Sequence, residues 1–197
     1  MNDDQLEDLK KAISSTVKAI ADDHELDVVF ENNKSNSSNQ IVLPKIDNNI
    51  NLKDLTEIRG NADNEALMHK YHNSKLYYEL QPPGEKNQKI YEILENTRVQ
   101  LIGSKLMRGV KSNLKMAYEK KCNSLELQNV ESQSDLDIEN AIDIYFRNEI
   151  SSDYTPLNAD KALKKWRNWL DKKIGNRTEI MKNNIFNQKE FAQSVNQ

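Results

Sequence analysis

Three ionisable side chains in the middle of the chain are of types that bind metal ions or transfer protons. His69 and His72 lie one helical turn apart in the tetrapeptide HKYH, and Glu95 interrupts an apolar stretch further along. Imidazoles and carboxylates are ordinary zinc ligands, but no HExxH motif or comparable ligand set accompanies these three. A metal or acid–base site is therefore one hypothesis. The favoured one is a fully paired polar cluster that fixes the register of the helices.

Two predicted helices supply the rest of that polar cluster. Arg59 and Asp63 lie on a mixed polar and apolar stripe of the earlier helix, and Glu95 and Arg98 lie on a similar stripe of the later one. If the two stripes pack together, Arg59 could meet Glu95 and Asp63 could meet Arg98. The four residues are thus predicted to form a structural polar cluster, with no catalytic role.

Glycines lie inside the same predicted helices at positions 60, 103 and 109. Each costs about 1 kcal/mol relative to alanine in a helix interior, so another interaction must offset that cost. The close approach of a neighbouring helix would do so, and contact with the backbone of a partner protein is the alternative. We favour close packing within the chain.

Hydrophobic periodicity predicts a mostly α protein. The predicted helices are residues 5–21, 51–72, 90 to about 123, 132–150 and 161–174. Short β-branched runs at 25–30 and 41–44 predict two strands, which the Asn- and Ser-rich segment 32–40 would join as a hairpin. The predicted architecture is a multi-helix bundle with one small two-stranded β-hairpin between the first and second helices. Trp166 and Trp169 are predicted to anchor the last helix in the core.

Composition and charge exclude several classes of function. A net charge of −3 gives no electrostatic reason to expect nucleic acid or an anionic membrane as a partner. No stretch approaches the roughly 18 apolar residues of a membrane span, and the acidic start MNDDQLEDLKK is unlike a signal peptide. The single cysteine, Cys122, fits a reducing cytoplasm and lacks a nearby general base. With no GxxxxGK[ST], GxGxxG, GxSxG or CxxC motif, neither a catalytic residue nor a bound cofactor is expected.

The order of several motifs across residues 12–193 is more specific than any of these patterns. The segments are TVKAIADDHELDVVF, LTEIRGNADNEALMHKYHN, IYEILENTRVQLIGSKLMRGVKSNL, KKWRNWL and NQKEFAQ. Together they resemble the N-terminal region of the CobT subunit of aerobic, ATP-dependent cobaltochelatase. The matching positions are Arg59, Gly60, Ala62, Asp63, His72, Asn73, Glu95, Arg98, Val99, Met107, Gly109, Val110 and Asn113. Relatives usually carry an acidic residue where this chain has Gln100, which argues against an acidic metal site there.

The resemblance implies a part in aerobic cobalamin biosynthesis. The whole enzyme of that family inserts Co²⁺ into hydrogenobyrinic acid a,c-diamide with ATP hydrolysis, so ATP, Mg²⁺ and Co²⁺ are used by the complex and no cofactor is expected in this chain. The implied partners are an AAA+ ATPase subunit and a large tetrapyrrole-binding subunit, and self-association into a homo-oligomer stays open. This chain is then expected to be a non-catalytic interaction module.

The same resemblance bears on domain organisation. Family members continue through an acidic linker into a von Willebrand A-type domain with a D-x-S-x-S motif, which these 197 residues lack. Residues 1–197 are therefore expected to form a single helical N-terminal domain. The alternative function is a metal- or tetrapyrrole-binding domain that uses His69, His72 and Glu95.

Overall fold

The computed structural model of the chain describes residues 1–31, 39–151 and 155–196. Within these ranges it contains nine α-helices, two 3₁₀ turns and one two-stranded sheet, so the predicted mostly α fold class is confirmed. The helices are Asp3–Ala21 (α1), Leu52–Tyr71 (α2), Ser74–Glu79 (α3), Glu85–Leu106 (α4), Arg108–Ser124 (α5), Ile138–Ile150 (α6), Leu157–Ile174 (α7), Arg177–Asn183 (α8) and Gln188–Val195 (α9). The strands are Asp27–Phe30 (β1) and Gln40–Leu43 (β2), between α1 and α2 as predicted.

The chain forms two compact units, each made of two stretches of sequence. The first unit consists of Met1–Tyr71 and Gly103–Ala117, and the second consists of His72–Ile102 and Tyr118–Gln197. Within the described residues, no helix has the length and apolar character needed to cross a bilayer.

Side-chain caps fix the helix starts in the first unit. Asn2 and Gln5 form a reciprocal capping box at the start of α1, in which each side chain accepts from the other residue's backbone N–H. Asn51 caps α2, because its Oδ1 accepts from the backbone N–H of Asp54 at 2.9 Å. These caps supply partners for backbone donors that the first helical turn leaves without any.

The two strands run parallel, which corrects the predicted hairpin. Asp27 pairs with Gln40 at one end of the sheet and Phe30 pairs with Leu43 at the other. A hairpin joins its strands with about two to five residues. For a parallel pair the chain must instead travel back along the length of one strand, and segment 31–39 has enough residues to span a strand of four. Within β2, Ile41 and Leu43 are buried. Most of the predicted turn at 32–40 lies outside the described residues.

The single long helix predicted from Ile90 is in fact two helices, α4 and α5, which are separated at Met107.

Close packing explains two of the three glycines, both in the first unit. A Cβ at Gly60 would lie 2.6 Å from Ala117 Cβ and 2.9 Å from Asn113 O, and one at Gly103 would overlap the Leu67 side chain. Gly109 has nothing within 4 Å of such a Cβ, so the packing prediction is wrong there.

The core of the second unit is centred on Leu94, Leu101, Phe146, Met181 and Phe191. Helices α3, α8 and α9 were not predicted, because each has at most eight residues and so only a short stripe of apolar residues.

The two tryptophans of α7 are not core anchors, contrary to the prediction. Trp169 is 37 % exposed, and its ring meets the half-buried ring of Trp166 edge-on at 5.6 Å. The helix is anchored instead by its buried residues Ala159, Ala162, Leu163 and Leu170.

Alanine substitutions at two glycines should have opposite effects on stability. We expect Gly60→Ala to lower the free energy of unfolding by about 1–3 kcal/mol, because the new methyl group meets a backbone carbonyl that cannot move aside cheaply. Gly109→Ala is the matched control and should raise it by up to about 1 kcal/mol, because its Cβ enters open space. Urea denaturation followed by circular dichroism measures both. Equal stability of the two variants would contradict the close packing at Gly60.

Candidate functional site

A buried ion pair between Glu95 and Arg98 is the central polar feature of the second unit. Arg98 donates from Nε to Glu95 Oε2 at 2.7 Å and from Nη2 to Glu95 Oε1 at 2.8 Å, which is a bidentate arrangement. The third nitrogen, Nη1, donates to the backbone carbonyl of Ile185 at 2.8 Å. Arg98 is 1 % exposed and Glu95 is 3 % exposed, so the pair has been removed from water.

His72 completes this arrangement. Its Nδ1 lies 2.8 Å from Glu95 Oε1, and the ring meets Tyr77 edge-on at 5.0 Å. Burial alone would raise the pKa of Glu95, but hydrogen bonds from Arg98 and His72 outweigh it and hold the pKa below its ordinary value. Because the ionised carboxylate can only accept, the His72 Nδ1 carries the hydrogen.

An amide pair fixes the segment beside His72. Gln188, at the start of α9, accepts from the Asn73 backbone N–H at 2.7 Å and donates to the Asn73 carbonyl at 3.1 Å. Asn73 also caps α3 through Leu76 N. His72 therefore lies next to a backbone position that is held on both sides.

A second buried ion cluster was missed in the sequence. Asp143 accepts from Arg147 Nε at 2.7 Å, from Lys121 Nζ at 2.8 Å and from Thr97 Oγ1 at 2.9 Å. Burial would raise the pKa of Asp143, but attraction from Arg147 and Lys121 prevails and lowers it. The available signal was an Asp and an Arg four residues apart inside the apolar run AIDIYFR.

The first unit contains a third polar group, which lines a small cavity. Asp63 is 3 % exposed and accepts one hydrogen bond, from Asn113 Nδ2 to its Oδ2 at 2.8 Å. A cavity of about 200 Å³ is lined by Arg59, Asp63 and Asn113 together with residues of α1. Burial raises the pKa of Asp63, and this effect outweighs both the hydrogen bond from Asn113 and the attraction of Arg59. Asp63 is therefore a carboxyl whose charge is poorly compensated.

The predicted metal candidates have separate carboxylate partners. His69, in the first unit, has Nε2 at 3.2 Å from Asp23 Oδ2, whereas His72 is held by Glu95. Throughout the described ranges, no group of three or more His, Cys, Asp or Glu residues is placed to hold a metal ion. Cys122 is buried, and burial raises the pKa of its thiol to about 11.

The four residues of the predicted polar cluster belong to the two units, two residues to each. Arg59 and Asp63 belong to the first unit, and Glu95 and Arg98 belong to the second. Asp63 has its hydrogen bond from Asn113, and Glu95 has its bonds from Arg98 and His72, each within its own unit. In the second unit Glu95 and Arg98 neutralise each other's charge, whereas in the first unit the hydrogen bond from Asn113 compensates the Asp63 charge only in part.

Replacement of Glu95 should destabilise the second unit strongly. Glu95→Gln leaves the buried Arg98 without a counter-charge, which costs about 3–5 kcal/mol at neutral pH. Because the folded pKa of Glu95 is below its ordinary value of 4.5, the stabilisation is present above that value and is lost as the pH falls through the folded pKa. Urea denaturation between pH 3 and pH 7 tests this. Glu92 is exposed on the same helix, so Glu92→Gln should have little effect on stability. An equal loss of stability in the two variants would show that the Glu95–Arg98 ion pair does not stabilise the second unit.

Replacement of Asp63 should raise the free energy of unfolding at neutral pH, in contrast to replacement of Glu95. Asp63→Asn removes a charge that is costly to bury, and the new amide oxygen can still accept from Asn113, so we expect a higher urea midpoint at pH 7. The folded pKa is raised, so the cost of the charge exists above that pKa and disappears as the pH falls through it. The gain should therefore vanish in acid. Asp8→Asn, on the exposed surface of α1, is the control, and a stability loss specific to Asp63→Asn would contradict this account.

The comparison with known proteins agrees with the motif order. The family model described as "Cobalamin biosynthesis protein CobT" matches residues 3–197. No solved structure matches the chain. Because the matched residues are almost the whole sequence, the chain belongs to the CobT family of cobalamin biosynthesis proteins.

Proposed function

We propose that this chain is a non-catalytic interaction module of the cobaltochelatase complex, which inserts Co²⁺ into hydrogenobyrinic acid a,c-diamide with ATP hydrolysis. The observation that carries the proposal is the family match over residues 3–197. In this role the chain contacts the AAA+ ATPase subunit and the large tetrapyrrole-binding subunit. The complex supplies the nucleotide, the Mg²⁺ and the Co²⁺ substrate.

The state of three buried groups, Glu95, Asp143 and Cys122, supports a role without chemistry. Glu95 and Asp143 each accept hydrogen bonds from cationic side chains within the second unit, so neither is poised to take a proton at neutral pH. The Cys122 thiol, with its pKa raised to about 11, is protonated at pH 7 and is a poor nucleophile.

The proposal predicts binding without turnover. The purified chain should bind the purified AAA+ subunit or the large subunit in biolayer interferometry, and should hydrolyse no ATP when alone. Absence of binding to both subunits, under conditions where the two bind a full-length CobT, would refute the proposal. Light scattering of the chain over a dilution series separates a monomeric adaptor from a homo-oligomer, whose apparent mass falls on dilution.

A metal- or tetrapyrrole-binding role is the second candidate, and one contact favours it. Glu95 holds Nδ1 of His72, and a carboxylate behind an imidazole is the usual support of a metal-binding histidine. Calorimetric titration with Co²⁺ and Zn²⁺ tests it. Binding that is lost in His69→Ala or His72→Ala, with the fold retained, would establish the site, and the absence of heat with either ion would remove it.

A further inference from the structure

The second unit has an apolar groove that its own side chains do not fill. The groove lies among α4, α6, α7, α8 and α9, and its lining includes the partly buried Ile90, Ile142 and Val195 and the buried Phe146 and Met181. Its volume is about 150 Å³. An apolar cavity of that size accepts a group as large as a benzene ring, so one leucine or phenylalanine side chain fits here.

The groove continues into a second cleft. Ile90 and Val195 also line a space of about 280 Å³ that is bounded by Pro82, Asn87 and Asn196. The second cleft has polar amides where the first has apolar side chains. The two spaces together suit an extended or helical segment that inserts one side chain and runs on over a polar rim.

The charged side chains that line the groove are all positive. Lys173, in the last turn of α7, and Arg177, at the start of α8, line the groove, and no carboxylate side chain does. Both residues are exposed, and the Lys173 ammonium lies 6.0 Å from the centre of the Trp169 ring. Both belong to a basic part of the sequence, since from Pro156 onward there are nine Lys and Arg against four Asp and Glu.

We propose that this groove binds an acidic segment of a partner subunit, which places one large apolar side chain between Ile90, Ile142 and Val195 and its carboxylates against Lys173 and Arg177. The inference rests on the proposed function, which supplies the two purified subunits used as probes. Opposite charges at the rim steer the encounter and set its salt dependence, whereas the inserted side chain slows dissociation.

The charge arm of the test compares two double variants of equal charge change. Lys173→Glu with Arg177→Glu reverses the rim, and Lys161→Glu with Lys165→Glu reverses two exposed lysines elsewhere on α7. We expect binding to the AAA+ subunit or the large subunit to weaken at least tenfold in the rim variant and less than threefold in the control. Wild-type affinity should fall as NaCl rises from 50 to 300 mM, and the rim variant should lose most of that dependence.

The apolar arm of the test uses Ile142→Gln, which replaces an apolar side chain of the groove with a polar one. It should weaken binding at every salt concentration, and it should leave the salt dependence unchanged. Far-UV circular dichroism and the thermal midpoint confirm that each variant is folded. If the wild type binds a subunit and the rim and apolar variants bind it equally well, the groove is not the docking site and the proposed function stands. If the wild type binds neither subunit, the proposed function itself fails.

Discussion

The guanidinium of Arg98 is the constraint on which the second unit depends. A cation that is 1 % exposed needs hydrogen-bond acceptors in several directions, and it finds them in the Glu95 carboxylate and the Ile185 carbonyl. Those bonds connect α4 to the turn between α8 and α9. Glu95 in turn holds His72, which precedes α3. One buried charge therefore fixes the relative positions of three segments that are far apart in sequence.

Buried carboxylates in this chain fall into two kinds. Glu95 and Asp143 have bidentate or multiple cationic donors, and their pKa values are lowered despite burial. Asp63 has a neutral amide donor, and its pKa is raised. Ionisation of Glu95 and Asp143 stabilises the folded protein, whereas ionisation of Asp63 destabilises it. Burial is common to all three carboxylates, so the direction of the pKa shift depends on whether the hydrogen-bond donors are cationic or neutral.

The sequence was sufficient for the helical class and for the strands between α1 and α2, because those features follow from periodicity over many residues. It was insufficient where the outcome depends on long-range geometry. The residue types of the two strands do not distinguish a parallel from an antiparallel pairing of β1 and β2, and the break at Met107 falls in a stretch with no proline to mark it. Glu95 and Arg98 were singled out because they interrupt an apolar run, but their bond to each other over three residues was not anticipated. The nearby Asp143 and Arg147 carried the same signal and were overlooked.

The buried Cys122 gives the second unit a chemical reporter of its own motions. It is the single cysteine of the chain and belongs to the second unit, and its thiol is both buried and protonated at neutral pH. An alkylating reagent reaches the thiol when the structure around it opens and exposes it, so the rate of labelling measures how often this opening occurs. The rate of alkylation, followed by mass spectrometry, therefore reports on the opening of the surroundings of Cys122 without any engineered probe.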